Sequence, residues 1–282
     1  MTQDSRLAPA TAMGAVELLV RDLDTMTRYY HDGVGLDVID AHGTTVVLGA
    51  GEPAVVLRQV ADLPPAAPRS AGLYHTAILF PDRASLAAAL MSVARFAPGT
   101  FTGSADHLFS EAFYFTDPEG NGLELYRDRP RHEWTYDAAG TLQSATLPLD
   151  PNQFLARHLG TGTAGPAEVG HVHLQVGDIA TARGFFVDVL GFDVTMDYGS
   201  ALFVSAGGYH HHLAMNTWGT RGAGPRAASL GLGEVAIDVP TRDDVAALAE
   251  RVRAAGLSHG DDGRTLTVAD PWGTRVRVRA AA

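Results

Sequence analysis

Glu124 stands between Leu123 and Leu125 in the stretch SEAFYFTDPEGNGLELYRDR, Ser110–Arg129. The aromatic-rich run Ala112–Thr116 reads as a strand. Asp-Pro-Glu-Gly-Asn-Gly (117–122) reads as a tight turn, and Leu123–Tyr126 as the returning strand of a hairpin. In a strand of period two, Glu124 faces opposite to both leucines. A lone carboxylate there would ordinarily mark the wet face of a sheet. Histidines elsewhere supply partners for it: His75, His107, His171, His173 and the triplet His210-His211-His212. Imidazoles and a carboxylate together are ligands for a divalent cation, and a neutral imidazole exchanges protons near pH 7. Twelve histidines against 21 Lys plus Arg is a high share. The chain has no cysteine, which removes disulfides, iron–sulfur clusters, cysteine-zinc sites and thiol nucleophiles.

These residues are far apart in sequence, so larger elements must bring them together. The chain has 282 residues, 46 % of them hydrophobic, enough for one large domain or two of ordinary size. A formal charge of −11 and the lack of a basic run argue against nucleic acid and anionic membranes. The polar, Ala/Pro-rich start Met1–Met13 does not read as a signal peptide. No apolar run approaches the ~18 residues of a spanning helix. A cytoplasmic protein without membrane or nucleic-acid partners is the expectation.

Met13–Val20 reads as a strand and Arg21–Gly35 as a helix capped by Asp22. Short strands follow at Leu36–Ile39, Thr44–Leu48 and Ala54–Val60, giving a β-α-β-β-β unit. That unit recurs at a constant offset: Met13 falls on Val169, Asp22 on Asp178, Tyr29-Tyr30 on Phe185-Phe186, and Gly35-Leu36-Asp37-Val38 on Gly191-Phe192-Asp193-Val194. A long repeat without register drift implies duplication of a large unit. Each half carries a second copy. In the first it comprises the strand Leu73–Phe80, the helix Asp82–Phe96, a loop Ala97–Phe109 and the Glu124 hairpin. In the second it comprises the strand Gly233–Val239, the helix Arg242–Ala255 and a hairpin Thr265–Arg279, whose turn Asp270-Pro271-Trp272-Gly273 echoes Asp117-Pro118-Glu119-Gly120. Arg131–Leu149 reads as a short hairpin and Pro151–Leu159 as a helical turn, both connectors.

Four such modules, two per half, resemble the vicinal oxygen chelate superfamily, which includes glyoxalases, fosfomycin-resistance enzymes and extradiol ring-cleaving dioxygenases. The resemblance covers nearly the whole chain beyond residue 12. It implies an α+β fold of four β-α-β-β-β modules forming two cupped mixed sheets around one divalent metal. The expected domains are a flexible N-terminus (1–12), a glyoxalase-like domain at 13–130 (modules 13–60 and 73–130), a connector at 131–166, and a second glyoxalase-like domain at 167–282 (modules 169–218 and 233–280). The runs LYHTAILFPDR (73–83), DHLFSEAFYFTDPEGNGLELYRDRP (106–130) and SAGGYHHH (205–212) are similar to those of two-domain catechol 2,3-dioxygenases of the type found in bacilli.

Aligning the four first strands sets Ala15, His75, His171 and Glu234 at one position; the last strands of modules two and four carry Glu124 and Arg277. The expected metal site is therefore His75, His171 and Glu124, which requires modules two and three to be partners. Two histidines and one carboxylate, leaving three open positions, suit non-heme Fe(II), and Mn(II) accepts the same donors. His173 shares the face of His171 and is the alternative ligand, or a group behind it. The resemblance implies that Tyr114, ten residues before Glu124, hydrogen-bonds substrate or a metal-bound oxygen. It also implies that one of the His210–His212 group is the acid–base residue. Its place before Leu213-Ala214 selects His211, with strand alternation turning His210 and His212 to the other face. His107, His173 and Trp218 are the expected substrate-binding residues. The implied partners are a small aromatic diol and O2, the product is a muconic semialdehyde, and homo-oligomers are common among such enzymes. A glyoxalase-like metal-dependent isomerase and a non-catalytic small-molecule-binding protein of the same fold are the alternatives.

Overall fold

The computed structural model describes residues 6–138, 140–162 and 164–281. The first module runs β1 (Ala12–Val20), α1 (Leu23–Arg28), β2 (Asp37–His42), β3 (Thr45–Ala50) and β4 (Glu52–Gln59). The second has β5 (Gly72–Leu79), α2 (Arg83–Phe96), β6 (Phe101–Asp106), β7 (Ser110–Thr116) and β8 (Gly122–Asp128), and α3 (Pro151–His158) lies in the connector. The third has β9 (Glu168–Gln175), α4 (Ile179–Arg183), β10 (Asp193–Asp197), β11 (Ala201–Ser205) and β12 (Leu213–Asn216). The fourth has β13 (Gly231–Val239), α5 (Arg242–Ala254), β14 (His259–Asp261), β15 (Thr265–Ala269) and β16 (Arg275–Ala280).

The strands form two mixed eight-stranded sheets, so the fold is α+β as expected. Their orders are β14-β15-β16-β13-β1-β4-β3-β2 and β10-β11-β12-β9-β5-β8-β7-β6. Modules one and four thus share one sheet, and modules two and three the other. By contacts the chain divides into two compact units. One holds 18–63 and 75–170; the other holds 6–17, 64–74 and 171–281. The division runs through β1, β5 and β9. No described helix is long and apolar enough to cross a membrane.

Three local expectations change. The helix expected over Arg21–Gly35 is α-helical only to Arg28 and then widens into a π turn, Tyr29–Val34, and the repeat does the same at Gly184–Val189. The wider turn buries two consecutive aromatics in each copy, Tyr29-Tyr30 and Phe185-Phe186, which a 3.6-residue period would splay apart. Gly35 closes the first turn at φ 91°, where a side chain is disfavoured. The loop expected at Ala97–Phe109 contains β6, whose polar sequence and register shift between Phe101 and Gly103 hide its alternation. Its counterpart β14 is only three residues long.

Candidate metal centre

The β7–β8 hairpin is built around a buried aspartate. Asp117 Oδ1 accepts from the backbone N–H groups of Glu119 and Asn121, each at 2.9 Å. Its Oδ2 accepts from Asn121 Nδ2 at 2.9 Å and the Tyr30 hydroxyl at 3.1 Å. Burial is the dominant influence on this carboxyl and pushes it up to about 6 from 3.8, against the pull of these hydrogen bonds. Glu119, at the tip, accepts from Arg21 N and Asp22 N at the entry to α1, tying turn to helix. Asp270 repeats the device, accepting from Trp272 N and Thr274 N.

From this turn β8 runs beside β5, pairing Ala77 with Glu124 in parallel register. His75 lies two residues before Ala77, so it shares a face with Glu124. His75 Nε2 and Glu124 Oε2 are 2.9 Å apart. Glu124 is 3 % exposed, so its face of the sheet is not the wet one.

Tyr114 is directly across from Glu124 in the hairpin, with its ring 5.7 Å from that of His75. His107 fixes its hydroxyl. The Ala145 carbonyl can only accept, so at 2.7 Å it takes the His107 Nδ1 proton. In that tautomer His107 accepts at Nε2 from the Tyr114 hydroxyl, 2.7 Å away. Leu108, next in the chain, is one of two non-glycine residues at positive φ among those described, at 73°. Such strain is sustained only where the surroundings over-determine it.

On β9, His171 and His173 share a face. His173 Nε2 accepts from Asn216 Nδ2 at 3.0 Å, and its ring packs on Tyr74, Trp218 and Phe203. The histidine triplet is not on a strand, contrary to expectation. It lies in the turn between β11 and β12, because the run Ala206–Tyr209, with Gly207 and Gly208 at positive φ, releases the chain from the ladder. Strand alternation therefore does not separate the three. His210 and His211 both reach His171, with ring centroids 5.8 and 4.1 Å from it, and their Nδ1 atoms are 2.8 Å apart. His212 instead accepts from Ala206 N and packs on Tyr209, latching the turn.

His75, Glu124 and His171, all buried, present ligand atoms within 4.8 Å of one another. Two imidazoles and one carboxylate are a donor set suited to a divalent cation. His173 is not in this group. The fourth module departs from it in the same register: Ala236 pairs with Arg277 as Ala77 pairs with Glu124, and Glu234, at the position of His75, forms an ion pair with Arg277. In module three, Ala214 pairs with His173, placing alanine where module two has Glu124.

Sequence reasoning missed Tyr74, Phe203 and Asn216 at this centre and set His210 on the wrong side. Only the polar Asn216 ending an apolar strand carried a signal for any of them.

A profile of the glyoxalase/bleomycin resistance protein/dioxygenase superfamily matches residues 12–125 and 168–278. The chain belongs to this superfamily. It is 37 % identical over 279 residues to the catechol-2,3-dioxygenase of Bacillus subtilis (strain 168), covering 93 % of this chain and 94 % of that one. Among solved structures, glyoxalase I from Zea mays superposes with a TM-score of 0.59 at 18 % identity, over 96 % of this chain and 92 % of that one. The CppA protein of Streptococcus pneumoniae TIGR4 does so with a TM-score of 0.58 at 10 % identity, over 98 % and 99 %. At these identities the structural likeness establishes the fold.

Proposed function

We propose that the protein is a non-heme Fe(II) extradiol dioxygenase that cleaves a catechol-type diol with O2 to a muconic-semialdehyde-type product. The observation that carries this is the buried His75–Glu124–His171 group, with Tyr114 and His211 beside its histidines. Support comes from the 37 % identical relative named as a catechol-2,3-dioxygenase. Mn(II) would be held by the same donors. The same reading takes 13–130 and 167–282 as duplicated glyoxalase-like domains joined by 131–166.

When bound by His75, Glu124 and His171, iron supplies coordination for the two diol oxygens and the redox chemistry with O2. The chain's own groups handle protons. Tyr114, whose hydroxyl donates to His107 Nε2, is the group that orients a diol hydroxyl. His211, packed on His171, exchanges the proton: it takes one as the diol binds and returns it during cleavage. The buried wall around these groups keeps bulk water from competing for them. Alanine at position 214 leaves this arrangement with one carboxylate, which favours the dioxygenase over a glyoxalase-like isomerase using two.

The test is metal content and O2 uptake with catechol on one anaerobically purified, iron-loaded sample. One iron per chain, O2 consumed and a yellow product are expected. Glu124→Ala and His75→Ala are expected to lose iron with an unchanged circular dichroism spectrum. Iron retained by both variants would show the site to be misplaced, and iron without O2 uptake would reject catechol as substrate.

A further inference from the structure

One arginine grips the His107 loop at both ends. β6 ends at Asp106 and β7 begins at Ser110, with His107 between them. Arg129, just past β8, donates its backbone N–H to the Phe109 carbonyl at 2.7 Å and its Nη2 to Asp106 Oδ2 at 2.6 Å. The other Asp106 oxygen, Oδ1, accepts from the backbone N–H of Leu108 at 2.9 Å, so the same carboxylate holds the residue that stands at φ 73°. The His107 backbone N–H closes the turn on the Ser110 carbonyl at 2.9 Å. The Asp106 backbone also pairs with Leu147 in both directions at 3.0 Å, which sets the segment whose Ala145 carbonyl accepts from His107 Nδ1.

The grip is itself braced. The Arg129 carbonyl accepts from the Trp134 indole N–H at 2.9 Å. Trp134 packs on Phe109 with centroids 6.2 Å apart, and Phe109 stacks on His107 at 6.1 Å. Arg129 Nη2 lies 3.7 Å from Glu111 Oε1, and buried Glu111 is held by Arg83 through hydrogen bonds of 2.8 and 3.2 Å. The Asp106 and Arg129 side chains are 21 and 22 % exposed, so water and salt screen their pair less than one on open surface. The bonds of both residues end on the loop and its braces, so their effect on the metal centre passes through His107.

We propose that Asp106 and Arg129 are positioning residues: their ion pair holds His107 where Nδ1 meets the Ala145 carbonyl and Nε2 meets the Tyr114 hydroxyl, and so aims Tyr114 at the diol. This rests on the diol-binding reading above. The strained conformation at Leu108 needs surroundings that over-determine it, and the pair supplies them from outside the loop. Arg129→Met removes the pair but keeps the backbone grip on Phe109, so the Asp106 end is released while the fold stays.

The experiment has two arms. The first needs neither metal nor substrate: NMR of the full chain with nitrogen-labelled histidines, the His107 signals being those lost in His107→Ala. Wild type is expected to show His107 as a single Nδ1–H tautomer with a slowly exchanging proton. Arg129→Met and Asp106→Asn are expected to show both tautomers and fast exchange. The second arm is O2-uptake kinetics of the iron-loaded protein with catechol. Both variants are expected to keep their iron and to lose about tenfold or more in kcat/KM, toward the ~100-fold that a misplacement of about 1 Å costs. In a His107→Ala background, Arg129→Met is expected to change kcat/KM by less than about twofold, because coupled residues are not additive. A His107 signal unchanged in both variants overturns the proposal. So does a kcat/KM loss from Arg129→Met that persists in full in the His107→Ala background, as a general loss of structure would. A His107 signal altered by both variants in a protein that takes up no O2 with catechol keeps the positioning role and sinks the dioxygenase.

Discussion

Tyr114 and His107 act as one unit because each fixes the other's proton. His107 Nδ1 donates to the Ala145 carbonyl, so its Nε2 receives the Tyr114 hydroxyl proton. Truncating either residue breaks the same arrangement. His107→Ala and Tyr114→Phe are each expected to lower kcat/KM by about 100-fold, the lower end of the range for a positioned proton-transfer group. The double variant is expected to be no worse than the poorer single one. Multiplied losses in O2-uptake kinetics would show the two to be independent. Asp117 makes a different prediction. Its carboxyl is raised to about 6 in the folded state from 3.8, so between about pH 4 and 6 the folded chain holds a proton that the unfolded chain has released. Stability from this group is therefore greatest near pH 4 and falls as pH rises through 6, by up to about 3 kcal/mol. Asp117→Asn cannot ionise. Relative to wild type it is expected to fare better at pH 7 than at pH 4 in urea unfolding; an equal difference at both would reject the raised carboxyl.

The elements around the centre are constrained by close approach. Gly170, just before His171 on β9, has no room for a side chain: a Cβ there would lie 1.7 Å from the Tyr126 hydroxyl oxygen and 3.1 Å from Leu79 Cβ. Tyr126 is fully buried and packs with Ala77 and Ala112, so it has little freedom to yield. Gly170→Ala is expected to destabilise the fold by at least about 1–3 kcal/mol, the usual range for overpacking. Adding Tyr126→Phe, which removes the nearest atom, is expected to restore part of that loss. A Gly170→Ala variant as stable as wild type in chemical denaturation would contradict the approach. At the matching register of module four, an ion pair, Glu234–Arg277, stands where module two has His75 and Glu124. The same pair of strand positions thus supports two chemistries, a carboxylate beside an imidazole or a carboxylate beside a guanidinium.

For the molecule as a whole, a metal that binds only the folded chain must stabilise it. Fe(II) at a hundredfold its dissociation constant adds about 2.7 kcal/mol, or about 5 °C in Tm for a chain of this length. Anaerobic calorimetry is expected to show that rise in wild type and none in Glu124→Ala. An equal rise in both would place the metal elsewhere.

The repeat by itself determined the four modules: Asp22, Tyr29-Tyr30 and Gly35 recur as Asp178, Phe185-Phe186 and Gly191, and caps, buried aromatics and turn glycines are local requirements that a sequence displays directly. Lining up the first strands was also enough to single out His75 and His171, because strand register carries position. The widening of α1 into a π turn, the strand β6 and the side from which His210 approaches were not legible, since each depends on packing partners distant in the chain. The neighbours of His173 were hidden for the same reason. Tyr74, Phe203 and Asn216 are ordinary strand residues until the tertiary structure sets them around His173. Sequence fixes local conformation and periodicity; which side chains share a surface is decided only when sheets assemble, because hydrophobic burial and hydrogen-bond satisfaction act between segments that may be a hundred residues apart.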